Sequence, residues 1–162
     1  MPAPERIAIV GLGLIGGSLA LALRRSRPEL RIVGVDEDAR TRELALRGRA
    51  VDAAVELAHA PLEICDAVVL AVPARALLEM ILPISARMRR GAPLTDVCGA
   101  KERICAAGAT QDNAVFVGGH LKNAAAPLHP PVVTAVDTSG SMYVGPAVQP
   151  TDEPPMVFSS VS

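Results

Sequence analysis

Up to residue 120 the chain alternates short apolar runs with amphipathic stretches. Ile7 to Val10 is an apolar run that ends on a glycine cluster, and the uncharged stretch Leu14 to Leu23 follows it. That order predicts a strand, a tight turn and a helix, the helix closing around Arg24 to Arg27 with Pro28 as its stop. Arg31 to Val35 reads as a second strand. Ala39 to Arg47 has helical composition, with Gly48 as its C-cap. Val51 to His59 starts like a short strand and continues as helix or loop. Ala67 to Val72 is a continuous apolar strand bracketed by Asp66 and Pro73. Ala76 to Arg89 places Leu77, Met80, Ile81, Ile84 and Met88 on one helical face, and Pro83 within it predicts a bend or a split. Pro93 to Val97 is a further strand, Lys101 to Ala107 a short helix ended by Gly108, and Ala114 to Val117 a last strand before Gly118-Gly119-His120. Strands alternating with helices imply an α/β fold with a doubly wound, mostly parallel sheet.

From Leu121 to Ser162 the pattern changes. Prolines at 127, 130, 131, 146, 150, 154 and 155 are separated by Ser, Thr and Gly. Proline at this density opposes regular helix or central strand. The expected division is therefore a domain over residues 1–120 and an irregular proline-rich tail over 121–162, loop or disordered. The apolar run Val132 to Val136 is its one candidate for an edge strand.

The glycine cluster carries the first chemistry. Gly11, Gly13 and Gly16 fit G-x-G-x-x-G between a strand and a helix, the setting of a Rossmann-type dinucleotide site. The first glycine permits the turn, the second lets backbone approach a pyrophosphate, and the third lets helix pack against strand. Leu14 and Ile15 would sit at the helix start, where free N–H groups and the positive dipole end meet phosphate. Asp36 ends the second strand, twenty residues past Gly16. A carboxylate there accepts hydrogen bonds from the adenosine ribose hydroxyls.

Composition narrows the class without redirecting it. The chain has 162 residues, long enough for one core without staples. Half the residues are hydrophobic but only 2% aromatic, so aliphatic side chains must build the interior. A net charge of −1 with no basic block gives no reason to expect nucleic acid or an anionic membrane surface as partner. Cys65, Cys98 and Cys105 are an odd number without C-x-x-C spacing, which predicts no disulfide framework and suits a reducing cytoplasm. No metal site is expected from these and the three histidines. The uncharged run Ile7 to Leu23 is slightly short for a membrane span and lacks a basic start, since Glu5 and Arg6 cancel.

Other strand ends offer further groups. Val72 and Pro73 end the apolar strand and would shape the turn beneath the cofactor, or Pro73 simply stops the strand. Asp96, Gly99 and Lys101 lie in D-V-C-G-A-K, where they could order a loop or meet an anionic substrate; a solvated Asp96–Lys101 pair is the alternative. His120 is the catalytic candidate: two glycines precede it, and an imidazole can accept a proton or hydrogen bond from a carbinol losing hydride. His59 and His129 read as surface residues, and Cys98 as a small buried hydrophobe.

Taken as a set, I-A-I-V-G-L-G-L-I-G-G-S-L-A, G-V-D, D-A-V-V-L-A-V-P, L-T-D-V-C-G-A-K and F-V-G-G-H resemble the nucleotide-binding half of the prephenate dehydrogenase family, over roughly residues 5 to 120. The resemblance implies oxidative decarboxylation of prephenate to 4-hydroxyphenylpyruvate, on the route to tyrosine, with arogenate as substrate in some relatives. It implies that Gly11, Gly13 and Gly16 hold the pyrophosphate of NAD and that Asp36 holds its ribose. An acid at 36 favours NAD over NADP by repelling a 2′-phosphate, although Arg40 lies nearby. His120 matches the family histidine that hydrogen-bonds the substrate's ring hydroxyl. Two departures stand out. Gly99 falls where many members have a serine whose hydroxyl reaches the active site. After G-G-H the family continues P-M-A-G into a helical domain that completes the pocket and forms a homodimer, whereas this chain reads L-K-N-A-A-A-P. Two other readings follow from that difference: an NAD-binding module without turnover, or a Rossmann reductase with another small-molecule substrate.

Overall fold

The structure, a computed structural model, describes residues 4–98, 101–119, 131–136, 142–146 and 156–157, the last three stretches as backbone strands. Six strands form one parallel sheet: β1 (Arg6–Val10), β2 (Arg31–Val35), β3 (Ala53–Val55), β4 (Ala67–Leu70), β5 (Pro93–Asp96) and β6 (Val115–Val117). Their order across the sheet is β3-β2-β1-β4-β5-β6, and every pairing is parallel. The order reverses direction at the β1–β4 boundary, so a crevice opens there beyond the carboxyl ends of the strands.

Alternation along the central strands feeds two cores. Ile7 and Ile9 of β1 point into one layer, with Ile32, Val69 and the α1 (Leu14–Ser26) residues Leu19, Ala20 and Leu23. Ala8 and Val10 point into the other, with Val68, Leu70 and Leu94 beneath α3 (Ala74–Arg87) and Ile104 of α4 (Lys101–Gly108). Burial on both faces is what requires the continuous apolar runs seen in the sequence. α2 (Ala39–Arg47) buries no residue and rests instead on its Asp38 cap, whose carboxylate accepts from Thr41 N–H and Oγ1–H, both at 2.7 Å.

Pro83 lies inside α3, which runs unbroken from Ala74 to Arg87, so the proline does not split the helix. It stands on the exposed side, where water can meet the carbonyl it leaves unbonded, while Leu77, Ile81 and Ile84 anchor the opposite face. α3 also starts earlier than the sequence pattern suggests, immediately after Pro73. The ambiguous stretch resolves into β3 followed by a 3-10 turn, Leu57–His59.

Within the proline-rich segment, β7 (Pro131–Val136), β8 (Met142–Pro146) and β9 (Met156–Val157) pair as an antiparallel sheet. Val132 to Val136 is thus a strand, in this separate sheet and not at an edge of the parallel one. Pro131 and Pro146 fall at strand ends, opposite each other in register, where a missing N–H least disturbs the ladder.

Candidate nucleotide-binding site

The three glycines of the first turn have three different physical reasons. Gly11 has φ +91, and a Cβ on it would come within 2.5 Å of the Ala71 carbonyl oxygen and 2.8 Å of Val72 Cγ1. The turn is held by the Gly11 N–H, which donates to the Val35 carbonyl at 2.7 Å. A Cβ on Gly16 would run into the Gly11 carbonyl oxygen, so helix and turn meet there backbone to backbone. Gly13 differs. Its φ of −63 suits any residue, and nothing lies within 4 Å of where its Cβ would be. The protein's own packing therefore gives no reason for glycine at 13, whereas close approach of a ligand does.

Gly13 is also the N-cap of α1. No side chain caps this helix and no acid stands in its first turn. The N–H groups of Leu14, Ile15 and Gly16 have no carbonyl behind them within the helix. Leu14 is 88% exposed, so solvent reaches this end freely. A positive dipole end facing open space is a site for phosphate.

Beside it lies a cleft of about 230 Å³ that Gly11, Asp36, Glu37, Val72 and Pro73 help to line. The structure thus brings Gly11, Asp36, Val72 and Pro73 to one cavity, with Gly13, Leu14 and Ile15 on the adjoining helix start. Asp36 has a second task there. Its Oδ2 accepts the Leu12 N–H at 2.8 Å, which fixes the glycine turn, and its Oδ1 accepts the Asp38 N–H at 2.9 Å. Each carboxylate oxygen keeps a second lone pair. Pro73 is the N-cap of α3, and its carbonyl accepts the Leu77 N–H at 2.9 Å.

Asp96 is fully buried. Its Oδ2 accepts the Cys98 N–H at 2.8 Å and its Oδ1 the Gly119 N–H at 3.1 Å. Lys101 opens α4. Gly99 and His120 lie outside the described residues. Cys98 is half-buried against the core, as a small hydrophobe would be. Burial pushes the Cys65 thiol up to about 11, which keeps it protonated and inert. Among the described residues no three His, Cys, Asp or Glu side chains gather as a metal site would require.

Sequence reading missed several groups. Met80 belongs to the helical face already marked as apolar, one turn beyond Ala76, and both line the cleft; an earlier helix start would have shown this. Leu57 reaches the cleft from the 3-10 turn, without any sequence signal. Arg42 donates from Nη1 to the carbonyls of Asp36 and Glu37, both at 2.8 Å, and its Nη2 stands 3.3 Å from Glu56. Arg87 of α3 donates to the Leu57 and Ala60 carbonyls at 2.7 Å and so pins the 3-10 turn.

Sheet order, glycine turn and strand-end acid together define a nucleotide-binding domain of the Rossmann type. Comparison with known proteins narrows the class. The model of the family described as prephenate dehydrogenase, nucleotide-binding domain, matches residues 19–121, and the chain belongs to that family. The chain is 34% identical to the prephenate dehydrogenase of Lactococcus lactis subsp. cremoris (strain MG1363), over 72% of this chain and 33% of the relative. It spans about a third of the length of the curated relatives it matches. Two crystal structures are also similar. The arogenate dehydrogenase of Synechocystis is 29% identical with a TM-score of 0.60, covering 71% of this chain and 40% of that one. The prephenate dehydrogenase of A. aeolicus, in complex with hydroxyphenyl propionate and NAD+, is 26% identical with a TM-score of 0.61, covering 77% and 44%.

Proposed function

We propose that residues 1–120 of this chain hold NAD for the oxidative decarboxylation of prephenate to 4-hydroxyphenylpyruvate, with 121–162 as a distinct segment. The observation that carries the reading is Gly13, a glycine with open space at its Cβ on the uncapped start of a 13-residue helix. When bound, the nicotinamide of NAD supplies the hydride acceptor for the substrate's carbinol carbon.

The chain's own residues bind and orient. The first N–H groups of α1 hold the pyrophosphate, which Gly13 admits to close range. Asp36 accepts from the ribose hydroxyls through its remaining lone pairs while it keeps the turn in place. Val72 and Pro73 form the apolar wall beneath. The same acids set the cofactor preference. Asp36 and Glu37 both border the cleft and repel a 2′-phosphate, while Arg42 is engaged by main-chain carbonyls and Glu56. His120, next after Gly119 in the sequence, accepts the proton or hydrogen bond of the ring hydroxyl as carbonyl character develops. The substrate is prephenate in this reading, with arogenate the close alternative. None of Cys65, Cys98 and Cys105 is in a disulfide, which suits a reducing cytoplasm. Among the described residues no helix is long and apolar enough to cross a membrane.

Calorimetric titration with NAD and with NADP, beside NADH formation on adding prephenate, tests the reading. NAD binding with turnover that His120→Ala abolishes is the expected result. Binding without turnover would reduce the function to cofactor holding. Turnover with a different hydroxy acid instead would make the chain a reductase of another substrate. No binding of either cofactor would overturn the site.

A further inference from the structure

Asp96 has a role that the nucleotide site does not account for. It ends β5 with no exposure to solvent. Its two carboxylate oxygens serve two different loops: Oδ2 takes the Cys98 N–H, in the segment leading to α4, and Oδ1 takes the Gly119 N–H, beyond β6. The strands themselves do not need this bridge. β5 and β6 are already joined by their ladder from Pro93 to Thr95, and Thr95 Oγ1–H donates to the Val117 carbonyl at 2.7 Å. Asp96 acts past the ends of that ladder, on main chain at the ligand-facing edge of the sheet.

No other side chain of similar size does the same. An apolar residue would leave two N–H groups without their acceptor, that of Gly119 in a site closed to water. Asparagine offers one acceptor oxygen, and its NH2 group would face the second N–H donor to donor. A buried carboxylate is tolerated only where strong donors meet it, and two of the donors here come from different loops, Cys98 and, 23 residues beyond Asp96, Gly119.

We propose that Asp96 is a positioning residue that locks the loop after β5 to the loop after β6, so that Cys98 and Gly119, the residue before His120, are placed as one unit. The functional half of this inference rests on the reading of His120 as the residue that meets substrate; the lock itself does not.

The test compares Asp96→Asn with Thr95→Val in the full chain. Amide hydrogen exchange by NMR is followed at Cys98 and Gly119, with Val69 in β4 as reference. The lock predicts exchange at Gly119 and Cys98 faster by about tenfold or more in Asp96→Asn while Val69 is unchanged. Thr95→Val should lower the urea midpoint without that selective release. NAD affinity should stay within about twofold, because the α1 site is elsewhere, and kcat should fall about tenfold or more with KM for NAD unchanged. Gly119 exchanging no faster than Val69, or released equally by Thr95→Val, overturns the lock. Selective release with kcat unchanged in an active chain overturns the positioning role. Where the unsubstituted chain binds NAD but turns over nothing, the enzyme reading fails by itself, and the exchange at Gly119 still decides the lock. The imidazole resonances of His120, shifted in Asp96→Asn and not in Thr95→Val, then decide its reach.

Discussion

The two ends of the parallel strands hold their aspartates by different sets of partners. At the amino-terminal edge, acids meet arginines. Asp66 accepts the Glu5 and Arg6 N–H groups, both at 2.9 Å, and pairs with Arg89 at 2.9 Å. Asp52 accepts the Ile32 N–H at 2.7 Å and pairs with Arg24 at 2.6 Å. At the carboxyl edge, Asp36 and Asp96 accept main-chain N–H groups from turns and loops. The first arrangement cancels charge and ties strand starts together. The second shapes loops around a cleft whose helix start carries no acid of its own. The carboxyl edge is thereby left with a helix start open to an anion.

That contrast can be broken most forcefully at Gly16. A Cβ there meets backbone, not a flexible side-chain tip, so Gly16→Ala should cost about 3 kcal/mol in a urea melt and displace α1. A cost of a few tenths would show that the helix start is looser than described. At the opposite edge, Asp66→Asn should cost about 1 kcal/mol, because Oδ2 takes both main-chain donors while an amide nitrogen in place of Oδ1 would face the Arg89 guanidinium, with NAD affinity unchanged. A matching loss of NAD affinity would collapse the distinction between the edges.

Gly13→Ala sharpens the comparison from the ligand side. Stability should move by no more than about 0.5 kcal/mol, the order of a change of cap residue, while NAD binding weakens about tenfold, read by calorimetry. Equal affinity would remove the strongest support for the site.

The smallest effect is visible only in acid. The carboxyls of Asp52 and Asp66 both sit below their ordinary value of 3.8. Burial works to raise each, and the outcome is reversed by the N–H donors and arginines around them. A depressed folded-state value means that the stabilisation is complete above the unfolded value and is lost as pH falls through the folded one. Urea midpoints should therefore be level from neutral pH down to about pH 5 and fall below about pH 4. Pairing Asp52→Asn with Asp66→Asn should flatten that fall. An unchanged acid limb would mean that other groups control it.

Much of this architecture is legible in the chain because burial on both faces of a parallel strand forces runs such as Ile7–Val10 and Ala67–Leu70 to be apolar throughout. The glycine turn is legible for the same kind of reason: backbone crowding at Gly11 and Gly16 admits no Cβ, whatever the remote context. Pro83 leaves a bend or a split open in the sequence, and the continuous helix excludes the split. Its effect on a helix depends on which side faces water, and periodicity alone did not weigh that against the anchoring of Leu77, Ile81 and Ile84.

What the sequence by itself determined is the alternation of strands and helices, the glycine turn and the acid at the end of β2, since each follows from local sterics or from periodic burial. Only the tertiary structure decided that Gly13 faces open space, that Arg42 is engaged by carbonyls, and that Asp96 joins Cys98 to Gly119. Those facts depend on which distant backbone groups arrive beside a side chain, and hydrogen-bond partners far apart in the chain leave no periodic trace along it.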